Sequence, residues 1–268
     1  MDWSKVEELA LLGYYGRDKG PFFNSTPSAL MGLRRLELEG ECRGTTLRFL
    51  QNLQNDTLTH LVWRGYFNST LPFIVQQFQG SSLEHLDIHT SETVHVESPS
   101  FSASELEPLQ HLPNLTHLSL NVARNGTWPL EMLSAISQIP SLRTADLWLD
   151  IASTCWKQKE DSWYPESEDT GCMGEDQYLL PFINETTTLE VFKHMRANKV
   201  GNPCCLFFHL TSSRPSLTQG RDSEMNASSL SSSTPICSES DVTSRKQALW
   251  PGTPTLQDVI PCDTESRK

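Results

Sequence analysis

Nowhere in the 268 residues does an apolar run approach the roughly 20 that a bilayer-spanning helix requires. The opening Met1-Asp2-Trp3-Ser4-Lys5 lacks the basic and apolar regions of a secretory signal. Positive charge is scarce as well. Twenty-one Lys and Arg stand against 33 Asp and Glu, a net charge of -12 with a pI near 5.1. That balance weighs against an electrostatic grip on nucleic acid or anionic lipid, so neither nucleic acid nor membrane is an expected partner. The seven cysteines (Cys42, Cys155, Cys172, Cys204, Cys205, Cys237, Cys262) form no C-x-x-C pair and no even framework. Scattered thiols suit a reducing compartment better than a disulfide scaffold, and the expected location is cytoplasmic or nuclear. Catalytic signatures are missing too: no G-x-S-x-G, no P-loop, no H-E-x-x-H and no Rossmann glycine set. The expectation is a chain that is not an enzyme and carries no cofactor and no metal.

What the chain does have is a repeat. Val6-Glu7-Glu8-Leu9-Ala10-Leu11, Leu33-Arg34-Arg35-Leu36-Glu37-Leu38, Leu58-Thr59-His60-Leu61-Val62-Trp63, Leu83-Glu84-His85-Leu86-Asp87-Ile88, Leu115-Thr116-His117-Leu118-Ser119-Leu120 and Leu142-Arg143-Thr144-Ala145-Asp146-Leu147 share the skeleton L-x-x-L-x-L. Their starts at 6, 33, 58, 83, 115 and 142 differ by 27, 25, 25, 32 and 27. Self-similarity at such a period with such a skeleton is the mark of leucine-rich repeats. Each block predicts a short strand (near 6–11, 33–38, 58–63, 83–88, 115–120 and 142–147). Its leucine-like residues face inward and the residues between them face outward. Between blocks, Leu47-Phe49-Leu50-Leu53, Leu71-Phe73-Ile74-Phe78, Leu106-Leu109-Leu112 and Leu130-Leu133-Ile136-Ile139 carry the three-and-four spacing of short amphipathic helices. Neither half can bury its apolar face alone, so the two must pack together. The predicted fold class is an α/β leucine-rich-repeat solenoid, a horseshoe with a curved parallel sheet on its concave face and a helical or irregular convex side.

Three departures interrupt the pattern. The stretch 91–100, polar and containing Pro99, reads as a rim loop. An acidic insertion over 155–177 holds Glu160, Asp161, Glu166, Glu168, Asp169, Glu175 and Asp176 and reads as a solvated loop. Beyond it, Leu179-Leu180-Pro181-Phe182-Ile183 mimics the convex segments, and Leu189-Glu190-Val191-Phe192 reads as a weak seventh strand near 189–194. The repeat domain therefore spans 1–200, followed by a Ser/Thr/Pro-rich disordered tail over 201–268. At the other end the first block starts with no polar capping segment before it. Terminal repeats need caps, so either a partner covers this end or an upstream domain is missing, and the second is the expectation.

The outward positions line up as columns, one residue per repeat, about 4.8 Å apart. The first reads Glu8, Arg35, His60, His85, His117, Thr144. The second is Ala10, Glu37, Val62, Asp87, Ser119, Asp146, and the third Leu12, Glu39, Arg64, His89, Asn121, Trp148. A protein partner on the concave face would meet Arg35, Glu37, His60, Arg64, His85, Asp87, His89, His117, Asn121, Asp146 and Trp148, among which Arg and Trp are types enriched at binding hot spots. The stacked histidines His60, His85 and His117 invite a metal or pH-switch reading, since stacked imidazoliums would repel below about pH 6.5, against plain packing on the sheet, and the run His85-Leu86-Asp87-Ile88-His89 invites a metal reading. A flat strand spaces alternate side chains about 7 Å apart, too far for one ion. Trp63 occupies a leucine position and belongs to the core.

Over residues 3–195 the blocks resemble the leucine-rich-repeat family. Asp2-Trp3-Ser4 running into the first strand, with the Leu-x-His-Leu and Leu-Arg-x-Leu forms, is similar to repeat proteins of filamentous fungi, many of which carry an F-box ahead of the repeats. That resemblance implies a substrate-recognition arm of a cullin-type ubiquitin ligase, a horseshoe that selects the protein to be modified. No F-box-like helical segment precedes the blocks here. The family's Asn or Cys, three residues past the last strand leucine, is replaced by Glu41, Tyr66, Ser91 and Ala123, so another group must satisfy the loop backbone. The alternative expectation is a secreted or cell-surface glycoprotein scaffold. It rests on N-x-S/T sequons at Asn24, Asn55, Asn68, Asn114, Asn125, Asn184 and Asn226. Without a signal peptide, these are expected to go unused.

Overall fold

In the computed structural model the described residues are 2–14, 26–40, 44–91, 98–161, 172, 174–201 and 207–212. Seven strands make one sheet in chain order: β1 (Glu8–Tyr14), β2 (Arg35–Gly40), β3 (His60–Arg64), β4 (His85–His89), β5 (His117–Val122), β6 (Thr144–Leu149) and β7 (Phe207–Ser212). Every neighbouring pair is parallel. Parallel neighbours need a crossover. The crossovers hold α1 (Gly44–Asn52), α2 (Leu71–Gln79), the short α3 (Ala103–Leu106) with a 3-10 turn to His111, and α4 (Leu130–Ser137). After β6 come α5 (Thr154–Asp161) and α6 (Glu185–Asn198).

The register follows the leucines. Leu36, Leu61, Leu86, Leu118 and Ala145 lie side by side on successive strands, as do Leu38, Trp63, Ile88, Leu120 and Leu147. All are buried, together with the block-opening Leu33, Leu58, Leu83, Leu115 and Leu142. The opposing layer is Phe49, Leu50, Leu71, Ile74, Leu106, Leu109, Leu133 and Ile136, in the same core. Period-two strand faces thus meet period-3.6 helix faces, and among the described residues no helix covers the sheet's other face. In β1, Leu9 and Leu11 are only half buried, since no earlier coil among the described residues covers them.

Local chemistry starts the helices. Pro72 sits in the first turn of α2, where its missing N–H would have no helical partner. A capping box opens α3: Ser102 Oγ accepts from the Glu105 amide, and the Glu105 carboxylate accepts from the Ser102 amide at 2.7 Å.

Buried turn backbone is satisfied from coil to coil. The Gln79 side chain, buried at the end of α2, accepts from the Thr57 and Leu58 amides at 3.0 and 2.9 Å and donates to the Gln54 carbonyl at 3.0 Å. Ser82 donates to the Leu58 carbonyl at 2.7 Å, and Ser141 to that of Leu115 at 2.9 Å. These groups take over the task of the absent loop asparagines.

Three expectations are corrected. Residues 189–194 are not a strand but lie inside α6, which starts at a second capping box, Asn184 with Thr187, and buries Val191 and Met195 four apart. The seventh strand is β7, in register with β6 through Ala145/Phe208 and Leu147/Leu210. The sheet therefore runs past the expected boundary at residue 200, into the stretch taken for tail; residues 213–268 lie outside the described residues. The insertion is also less loop-like than expected, since Cys155–Asp161 lies in α5 and Gly174–Gln177 is a 3-10 turn. It is pinned by a disulfide between Cys155 and Cys172, a pair that spacing alone did not reveal. No helix among the described residues is long and apolar enough to cross a membrane.

Candidate functional site

The helix-free face of the sheet carries the outward columns. The first reads Glu8, Arg35, His60, His85, His117, Thr144, Phe207, and the second Ala10, Glu37, Val62, Asp87, Ser119, Asp146, His209. In the third, Glu39, Arg64 and His89 are in register, and so are Asn121, Trp148 and Thr211. Parallel pairing without slippage across β2 to β6 is what brings the side chains of distant blocks into contact.

Across the centre, the imidazoles stack. His60 and His85 have ring centroids 5.3 Å apart with planes 20° from parallel; for His85 and His117 the values are 3.9 Å and 4°. The row continues through Asp146, whose Oδ2 lies 3.3 Å from His117 Nε2 and whose Oδ1 lies 2.7 Å from His209 Nδ1. Burial, with His117, His60 and Arg35 adding their positive charge, pushes His85 down to about 4 against the partial pull of Asp87. Imidazole at this position is therefore uncharged at neutral pH.

Beside this row runs a second contact chain. Asp87 Oδ1 accepts from His89 Nδ1 at 2.6 Å, and Ser119 also bonds the carboxylate. Burial by itself would raise the Asp87 carboxyl, but the His89 and Ser119 hydrogen bonds and the charge of His89 hold it below the usual range. The His89 ring lies flat on Trp148, centroids 4.0 Å apart and 1° from parallel, while Trp148 Nε1 donates to Ser119 Oγ at 2.8 Å.

Of the expected partner-facing residues, Arg35 and Arg64 are exposed, and Glu37, His60, His85, Asp87, His117, Asp146 and Trp148 are half buried. Arg64 pairs with Glu37 at 3.1 Å. Two expectations fail. Asn121 is 1% exposed. Its Oδ1 accepts from the Thr90 amide at 2.7 Å and its Nδ2 donates to the Thr90 carbonyl at 3.0 Å, so it serves the backbone of the preceding coil. His89 is 8% exposed, covered by Trp148. Neither is presented to a partner. Trp63 belongs to the core, as its leucine position required.

Sequence reasoning missed His209, because β7 lies in a block too degraded to be read. Cys205, Phe208 and Leu210 stand where Leu142, Ala145 and Leu147 stand in the block before, and that alignment is the signal that would have found it. A buried polar cluster at the end of β6 also went unseen. Lys157 Nζ contacts Asp150 Oδ2 at 2.8 Å, the Ser98 amide reaches the same oxygen at 3.0 Å, and Arg124 donates to the Asp150 and Pro181 carbonyls. It ties the rim segment before α3, the end of β6 and the segment after the insertion together. Among the described residues no group of three or more His, Cys, Asp or Glu is placed to hold a metal ion.

No family model, no curated protein and no solved structure matches the chain.

Proposed function

We propose that the chain is a protein-interaction module, a leucine-rich-repeat solenoid whose helix-free sheet face is the concave surface that holds another protein. The observation that carries this reading is the in-register face itself: successive parallel strands deliver one outward residue each to continuous rows, with Arg35 and Arg64 exposed at one end. Surfaces of this kind suit extended partners. Within that function, the resemblance favours a substrate-recognition arm related to the F-box adaptors of cullin-type ubiquitin ligases. Affinity purification from native cells tests it, comparing the wild-type chain with an Arg35→Glu/Arg64→Glu variant. Recovery of ligase subunits with the wild type, and loss of the co-purifying substrate with the variant, supports the adaptor reading. Absence of any ligase subunit, even when the full native gene is expressed, removes it.

A second reading, a secreted or cell-surface glycoprotein scaffold, is favoured by two observations. One is the Cys155–Cys172 disulfide, a bond at home in oxidising compartments. The other is that the sequon residues Asn55, Asn68, Asn114, Asn125 and Asn184 are all exposed. Asn114 donates from Nδ2, the nitrogen that carries the sugar, to the Ser81 carbonyl at 2.6 Å and would strain that contact on modification, while Asn184 is engaged through Oδ1 in capping α6. Asn55 and Asn125 are the better acceptors. A mobility shift of native protein on glycosidase treatment supports this reading, and an unchanged mobility excludes it.

A further inference from the structure

The central row has no break from β3 to β7: His60 stacks on His85, His85 on His117, His117 meets Asp146, and Asp146 meets His209. Each of five adjacent strands gives one titratable group to it, and every contact between neighbours is a ring stack or a close imidazole–carboxylate approach. We infer that this row is an acid-responsive switch: uncharged imidazoles hold adjacent strands together by stacking, and protonation sets those rings against each other and loosens the face. The inference concerns the chain alone and stands whether or not a partner uses the surface.

Stacked neutral rings gain dispersion and shed water. Two imidazoliums at the 3.9 Å separation of His85 and His117 instead repel, with little water between them to screen the charge. The groups around His85 make it the centre of the device. From β2 it faces Arg35 and Glu37, from β3 His60 and Arg64, from its own strand Asp87 and His89. His117 on β5, Asp146 on β6 and His209 on β7 complete the set. Arg64 is engaged by Glu37 and Asp87 by His89 and Ser119, while Asp146 is shared by the two imidazoles beyond His85. Among the described residues no carboxylate hydrogen bond reaches the His85 ring, so an imidazolium there meets His60, His117 and Arg35 with only the partial pull of Asp87 against them.

The direction in pH follows. His85 is held at about 4 in the folded chain against 6.5 in an unfolded one, so unfolding takes up a proton. The stabilisation is complete above pH 6.5 and is lost as pH falls from there toward 4.

The test compares thermal unfolding of the full chain at pH 7.5 and pH 5.0 for the wild type, His85→Phe and His111→Gln. Phenylalanine keeps a ring to stack and has nothing to protonate; His111 is exposed at the end of the 3-10 turn, outside the row. The wild-type midpoint is expected to drop by roughly 3–8 °C more than that of His85→Phe, with His111→Gln following the wild type. An equal drop in wild type and His85→Phe, or a drop abolished by His111→Gln, overturns the inference. Should His85→Phe fail to fold, ring proton NMR of the wild type decides. One histidine titrating far below the others, its resonance shifting as its neighbours titrate, upholds the switch. All eight histidines of the chain titrating independently near pH 6.5 overturns it.

Discussion

The first three strands and the last four present equivalent positions on the same face, and they treat them differently. On β1 to β3, Glu8, Ala10, Arg35 and Arg64 are exposed, and Leu12 is 55% exposed. On β4 and β5, His89, Ser119 and Asn121 are buried on that same outward face. The skeleton is the same on both sides. What differs is how closely neighbouring outward residues enclose one another: Asp87, His89, Ser119 and Trp148 close a ring of contacts, whereas Arg35 is exposed and Arg64 makes a surface ion pair with Glu37. Outward position sets where a side chain points; its neighbours decide whether it remains available.

That contrast can be broken from the buried end first. Lys157→Ala removes the ammonium that contacts the buried Asp150 carboxylate at 2.8 Å and is expected to cost about 3–5 kcal/mol in chemical denaturation. Cys172→Ser opens the loop closed by the disulfide and should cost about 3 kcal/mol under oxidising conditions and nothing in excess reductant. Asn121→Ala strands both backbone groups of Thr90, and a loss of about 2 kcal/mol is expected, together with faster hydrogen exchange at the Thr90 amide. At the exposed end, Arg64→Ala removes only a surface ion pair with Glu37 and should change stability by less than about 1 kcal/mol, less still in high salt. If Arg64→Ala proved as costly as Asn121→Ala, the division of the face into a bonded half and an open half would be wrong.

The strand stack and the columns were legible because each inward leucine has a period-two partner and a fixed distance to the next block. Helices α1, α2 and α4 were legible from three-and-four spacing. Burial on the outward face was not, since alternation cannot report that Trp148 lies over His89 or that Asn121 turns back onto Thr90. The region 189–194 misled because Leu189, Val191 and Phe192 mix both periods; Asn184 and Thr187 as a helix start were the better guide. β7 escaped because its first skeleton position is Cys205 and it stands 63 residues past the start of the previous block, so no fixed spacing pointed to it.

That long excursion between β6 and β7 has a consequence of its own. A strand returned by a short crossover is tied to the length of its connection. β7 recovers its alignment beside β6 after 57 intervening residues, from 150 to 206, so its seating depends on the pairing of Leu147 with Leu210 and Asp146 with His209 and not on the measure of the connection. Closing a loop twice as long costs only about 0.6 kcal/mol more. Outside α5, the Asp150 cluster and α6, whose Val191 and Met195 belong to the core, the connection can therefore gain sequence while the terminal rung of the histidine row keeps its place.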